Sequence, residues 1–266
     1  MEQLKTYMKN NLRDIQLREL AIMKEIHKIC VSNSIDYWLD GGTILGAMRH
    51  GGFIPWDDDI DIAMRRTDIP RFVEAAKREL PDWLYLQSPD EDPSRLPMLK
   101  VRDLNSFLVE AVDDFSQPYP KGLFVDIFPL EPYPNISRKL CKTITKGYCR
   151  ADGILKAKHY YSLRSVAELF WFGAKRAWFK LMWLFVYHTR SKNTYFSNQI
   201  ECNGYGVLHR NEDIFPVRPI QFEGETFLGP ANPDQYTRNI YNDYMILPPE
   251  DKRKVHAMFY ALLHEQ

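Results

Sequence analysis

Residues 57–62 read Asp-Asp-Asp-Ile-Asp-Ile, and a run that sets four carboxylates among two isoleucines has few ways to fold. Read as a strand, its side chains alternate, so Asp57, Asp59 and Asp61 share one face, Ile60 and Ile62 enter a core, and Asp58 points away from the other acids. Acids two residues apart on such a face lie about 7 Å from one another and repel. Burying charge without a partner is costly, so the segment demands a counter-ion. Mg²⁺ held by one or two carboxylates together with substrate phosphates is the usual answer in phosphoryl transfer. Surface acids that merely solubilise a loop are the alternative; the alternation with Ile60, Ile62 and Met64 ties these acids to a half-buried strand instead.

The segment upstream adds a second element of the same chemistry. Tyr37–Leu39 reads as a short strand, Gly41-Gly42 as a tight turn, and Thr43 as the N-cap of a helix through Ile44, Leu45 and Met48. Backbone N–H groups at a turn that opens a helix can hold a phosphate against the positive helix end. Arg49 and His50 either add donors to that anion or cap the helix C-terminus as solvated cations. After a second turn at Gly51-Gly52, a helix is expected over 69–80 and strands over 98–102, 107–111 and 123–128. The prolines at 118, 120, 129, 132 and 134 should keep the last of these short. Asp126 is an acid inside the apolar run Val125 to Phe128, read equally as a ligand or as a partner of a neighbouring backbone or arginine. Lys100 and Arg102 share a strand face, where they balance phosphate charge or pair with the acids. Mixed elements of this kind indicate an α+β architecture.

With 266 residues, 45% of them hydrophobic, the chain can fill one large domain or a domain with an appended lobe. Its 35 Lys and Arg balance 35 Asp and Glu, which leaves no net field to draw in nucleic acid. Cys30, Cys141, Cys149 and Cys202 lack zinc or disulfide-scaffold spacing, so reduced thiols are expected. The opening residues Met1 to Lys5 lead into polar sequence without an apolar leader core, and the expected location is cytoplasmic. An N-terminal helix is expected over 11–32, with Leu12, Ile15, Ile22, Ile26 and Ile29 on its inner face.

Between Ser165 and His188 the composition changes. Trp171, Ala174, Trp178, Leu181, Met182 and Phe185 fall on one helical face, with Glu168, Lys175, Arg176 and Lys180 mostly off it. Its longest uncharged stretch, Leu181 to Tyr187, is too short to cross a bilayer. Burial of the aromatic face is the preferred reading, and an interfacial helix at the inner face of a membrane is the alternative. From Phe222 to Pro249, loops around a short helix are expected.

The stretch Tyr37-Trp38-Leu39-Asp40-Gly41-Gly42-Thr43-Ile44-Leu45-Gly46-Ala47-Met48-Arg49-His50-Gly51-Gly52-Phe53-Ile54-Pro55-Trp56-Asp57-Asp58-Asp59-Ile60-Asp61 resembles the signature of the LicD family of cell-envelope phosphotransferases, which includes relatives of the fukutin-related proteins. Lys100-Val101-Arg102-Asp103, Val125 to Leu130, Phe222-Glu223-Gly224 and Tyr241 to Pro249 extend the resemblance. Asn242 departs from it, since the family pattern has Gly there.

The resemblance implies a nucleotidyltransferase-like mixed sheet flanked by helices, forming one catalytic domain with a helical insertion at about 135–200 and a loop-rich C-terminal lobe at about 205–266. It places Gly41, Gly42 and Thr43 at the donor phosphates, with Arg49, His50, Lys100 and Arg102 as further substrate-binding candidates. Asp59, Asp61 and Asp126 become the metal-binding and catalytic acids, with Asp57 an additional ligand. The cofactor would be Mg²⁺ or Mn²⁺, the donor a CDP-alcohol, CDP-choline first among them, and the acceptor a hydroxyl of teichoic acid, lipopolysaccharide or a capsule precursor, lipid-linked in some cases. Nucleotidyl transfer to a small molecule and an inactive binding protein of the same fold are the alternatives.

Overall fold

The structure, a computed structural model, describes residues 2–88, 98–111, 113, 115, 117–157, 162–253 and 255–263. Met1, residues 158–161 of the expected insertion and residues 264–266 of the expected C-terminal lobe lie outside them. The chain divides into two compact units, one of Met1–Pro129 with Pro216–Gln266, the other of Leu130–Phe215.

The first unit begins with α1 (Glu2–Ser32), β1 (Tyr37–Leu39), α2 (Gly41–His50), β2 (Ile60–Arg65), α3 (Ile69–Glu79), β3 (Leu84–Gln87), β4 (Leu99–Asp103), β5 (Ser106–Glu110) and the start of β6 (Phe124–Tyr133). Its sheet has the order β1-β2-β6-β4-β3, the mixed α+β arrangement expected. Ile60, Ile62, Ala63 and Met64 of β2 are buried. The buried face of α1 is the one marked by Ile15, Ile22, Ile26 and Ile29. This helix starts at Glu2 rather than near residue 11, because Leu4 and Met8 continue the same spacing. In the antiparallel β4–β6 ladder Lys100 lies opposite Asp126, so register alone brings the strand cation to the strand acid.

Strand β6 is longer than its prolines suggested. Its pairing with β4 ends at Ile127 and its pairing with β7 (Tyr195–Asn198) begins at Leu130, so Pro129 falls between two ladders. The second unit comprises the end of β6, the antiparallel-packed helices α4 (Arg138–Lys156) and α5 (Leu163–Thr189), then β7, β8 (His209–Arg210) and the short α6 (Asn211–Ile214). Its core gathers Tyr133, Ile144, Tyr148, Trp183 and Val186. The face of α5 expected to be buried is not: Trp171, Trp178, Leu181 and Phe185 are exposed, and of the predicted set Met182 packs on the core. Helix α4 instead selects a neighbouring stripe through Phe179, Trp183 and Val186.

The chain then returns to the first unit as β9 (Arg218–Phe222), β10 (Glu225–Gly229), α7 (Pro233–Tyr241) and β11 (Ala257–Leu262). Where loops were expected, β9 and β10 form a hairpin around Glu223-Gly224, both at positive φ (54° and 76°), the conformation a two-residue turn demands. Glu223 accepts hydrogen bonds from the Phe53 N–H (2.8 Å) and Arg13 (2.6 Å), which ties the hairpin to the chain before the acidic segment. All four cysteines are free thiols, Cys30 and Cys141 buried.

Asn242 ends α7 at φ 56° and ψ −114°, a region that glycine occupies without steric cost. Asn242→Gly is therefore expected to raise the thermal unfolding midpoint, by the equivalent of about 1 kcal/mol, and Asn242→Val to lower it. Equal midpoints for the two variants would contradict the strain.

Candidate functional site

Strand β2 begins only at Ile60, so of the acids 57, 58, 59 and 61 Asp61 alone is on the strand. Pro55-Trp56 opens a turn closed by the Asp57 N–H on the Ile54 carbonyl (2.9 Å), and Gln16 of α1 donates to the Asp57 carbonyl (2.9 Å). The expected period of two thus does not extend to Asp57 and Asp59, and it is a fixed loop that turns them toward Asp61. The same loop sends Asp58 elsewhere: its two oxygens accept the N–H groups of His256 and Ala257, each at 2.8 Å. Asp58 anchors the start of β11.

Carboxylates converge from three elements. Asp57 and Asp59 lie close enough that the charge of each acts on the other. Asp57, Asp59 and the exposed His256 present ligand atoms within 4.8 Å of one another. Asp61 feels the charges of Asp59, Asp126 and Asp40. Asp126 on β6 is buried, with Lys100 Nζ at 3.0 Å. At α2 the glycines make room for the acids: a Cβ on Gly41, which sits at φ +50°, would collide with the Asp61 carboxylate, and one on Gly42 would lie 2.6 Å from Asp57.

This crowding shows in the acidities. Burial first, then the charges of Asp59 and Asp58, push Asp57 up to about 8. Burial, followed by the charges of Asp58 and Asp126 against an opposing pull from His256, pushes Asp59 up to about 6. Asp61 and Asp126 are raised as well, burial again being the main cause, with Lys100 opposing it at Asp126. A group of oxygen donors that cannot all ionise unaided fits a hard divalent cation.

The other sequence-predicted residues are placed less uniformly. Thr43 is not the N-cap, a position held by Asp40; its hydroxyl accepts the Asp61 N–H (2.8 Å) and so locks α2 to β2. Arg49 and His50 lie in the last turn of α2, at the end opposite the glycines. Arg49 donates to the Tyr244 carbonyl (2.8 Å) and to His50 Nε2 (2.9 Å), and the charge of Asp57 acts on it. Lys100 bridges Asp126 and Glu110. Arg102 is 1% exposed, donates to Gln87 and to the Gly122 carbonyl, and lies over the Phe124 ring, so it supports the sheet and offers no surface to a substrate.

Sequence reasoning missed four contributors. Asp40 accepts from the buried Tyr236 hydroxyl (2.8 Å), which itself accepts from Trp38 Nε1 (3.0 Å), joining α7 to the glycine turn. Tyr241, at the end of α7 and 38% exposed overall, has its hydroxyl acidity raised by desolvation and then by the charges of Asp61, Asp40, Asp57 and Asp59. His256 comes from the far end of the chain, and no local pattern marks it. Glu19 of α1, 1% exposed, is raised by burial and then by the acids at 59, 58, 57 and 61.

A glycine-opened helix, a loop and two strands that gather acids on a mixed sheet define a protein of the nucleotidyltransferase-like class. Residues 34–166 match the model of the LicD/FKTN/FKRP family, nucleotidyltransferase domain, and the chain belongs to that family. It is 29% identical over 255 residues to the lipopolysaccharide cholinephosphotransferase LicD of Haemophilus influenzae, covering 93% of this chain and 96% of that protein. It is also 42% identical over 53 residues to the ribitol 5-phosphate transferase FKRP of Homo sapiens, 20% of this chain and 10% of that protein.

Two outcomes are expected. The folded acidities of Asp57 and Asp59 lie above their ordinary 3.8, so the stability tied to their protonation is full below that value and is lost as pH rises through about 6 and about 8. Without divalent cations the unfolding midpoint should fall between about pH 5 and pH 8, and Mg²⁺ should restore it most at the upper end. A midpoint that rises over this range, with no Mg²⁺ effect, would contradict the assignment. Asp58→Ala, which orphans two N–H groups, should cost about 2 kcal/mol in denaturant unfolding.

Proposed function

We propose that the protein transfers a phosphoalcohol, phosphocholine from CDP-choline, to a hydroxyl of a cell-surface glycan such as teichoic acid, lipopolysaccharide or a capsule precursor, releasing CMP. The similarity to the Haemophilus influenzae cholinephosphotransferase over 93% of the chain carries the reading, and the gathered carboxylates support it. Asp59, Asp61 and Asp126, with Asp57 and His256 beside them, would hold Mg²⁺ or Mn²⁺. When bound, such cations supply positive charge to the entering and leaving oxygens of an in-line displacement. The N-terminus of α2 at Gly41 and Gly42 would hold a donor phosphate. Asp126, held by Lys100, accepts the proton of the attacking hydroxyl, and the β-phosphorus passes from CMP to the acceptor oxygen.

The family description favours one second reading, nucleotidyl transfer, in which the α-phosphorus is attacked. Incubation with a panel of CDP-alcohols, nucleoside triphosphates and candidate glycans separates the two: CMP release supports phosphoalcohol transfer, and pyrophosphate release overturns it. Asp59→Asn, Asp61→Asn and Asp126→Asn should each lower turnover by roughly 10³-fold while the fold survives. Near-normal turnover in any of them would remove that residue from the site.

A further inference from the structure

The second unit carries a face that its own core does not use. Helix α5 is 27 residues long, and Phe170, Trp171, Trp178, Leu181 and Phe185 are 60% exposed or more. At 3.6 residues per turn these five lie on one continuous stripe, beside the Trp183 and Val186 side that α5 buries. Exposed apolar stripes of this length are a liability unless something covers them.

Charge identifies what covers this one. Helices α4 and α5 together hold ten Lys and Arg, against two acids, Asp152 and Glu168, a net of +8. The whole chain is neutral, so the remainder carries −8. On α4, Lys139, Lys142, Lys146 and Arg150 recur at helical spacing, are exposed, and line one surface concavity. Gly147 and Arg150 also border the neighbouring concavity formed with Phe172, Lys175 and Phe179 of α5, so the cationic and aromatic surfaces are contiguous. Lys175 joins them, with its ammonium 4.8 Å from the Trp171 ring centroid.

We propose that the α4–α5 hairpin docks on an anionic bilayer surface. The Trp and Phe stripe enters the boundary between head groups and acyl chains, and the lysines of α4 meet lipid phosphates. A second copy of the chain fits less well, because pairing two such faces would oppose one cationic surface to another. No helix among the described residues is long and apolar enough to cross a membrane, so the contact is peripheral. The inference does not rest on the proposed donor chemistry, and binding is measured with neither donor nor acceptor present.

The test is co-sedimentation of the full chain with vesicles of phosphatidylcholine alone or mixed with phosphatidylglycerol. Wild-type protein is expected to pellet with the anionic vesicles at low salt, to be released as salt rises, and to remain in solution with the neutral ones. Trp171→Ser with Trp178→Ser, and separately Lys142→Glu with Lys146→Glu, should each weaken binding at least about tenfold, with circular dichroism unchanged. Tryptophan emission of the wild type should shift to the blue on anionic vesicles and be quenched by lipids brominated in the acyl chain, a reading that needs no variant. Protein that stays in the supernatant with anionic vesicles and shows no such shift overturns the proposal. So does a dimer in sedimentation equilibrium that the tryptophan substitutions dissociate.

Discussion

Mutual repulsion among buried and half-buried carboxylates governs the first unit. Asp57, Asp59, Asp61 and Asp126 are drawn together from a loop and two strands, with Asp40 and Glu19 close enough to add to the field. A protein interior tolerates such a group only with protons, cations or fixed donors to compensate it. Much of the surrounding structure reads as that compensation. Lys100 faces Asp126 across a ladder, Tyr236 donates to Asp40, and two backbone N–H groups neutralise Asp58. The glycines at 41 and 42 leave room where a methyl group would press on the acids.

These compensations rest on stiff elements. Asp61 and Asp126 sit on neighbouring strands, and Thr43 bonds α2 to β2, so the glycine turn and the strand acid move as one piece. Asp57 and Asp59 lie in a loop, but that loop is pinned by Gln16, by the Ile54 carbonyl and by Asp58 on the chain at 256–257. Preorganised carboxylates of this kind suit a site that must hold several charges at once while a phosphoryl group moves.

What the sequence revealed depended on how local each cause is. The mixed sheet, α3 and the buried side of β2 were readable because apolar spacing is a property of neighbouring residues. The nearness of Asp57, Asp59 and Asp61 was also anticipated, although for the wrong reason: a turn at Pro55-Trp56 achieves what strand alternation was expected to do. His256 and Tyr236 were invisible because about 200 residues separate them from the acids they approach, and only tertiary folding closes that distance. For Arg102 the sequence left phosphate binding and internal pairing open, because i, i+2 spacing gives the face of a strand but not what covers it, and here it is covered by Gln87 and Phe124. Helix α5 failed similarly. Its period is plain, yet it has two apolar stripes, and only packing against α4 chooses between them.

The central claim is that these acids form one divalent-cation site. Anomalous diffraction from crystals soaked in Mn²⁺ tests it directly, because the metal reports its own position. The account predicts a peak at about 2.0–2.3 Å from carboxylate oxygens of Asp59 and Asp61, with Asp126 within reach of the same or an adjacent ion. Manganese bound elsewhere on the chain, with these three carboxylates free of it at saturating concentration, would contradict it.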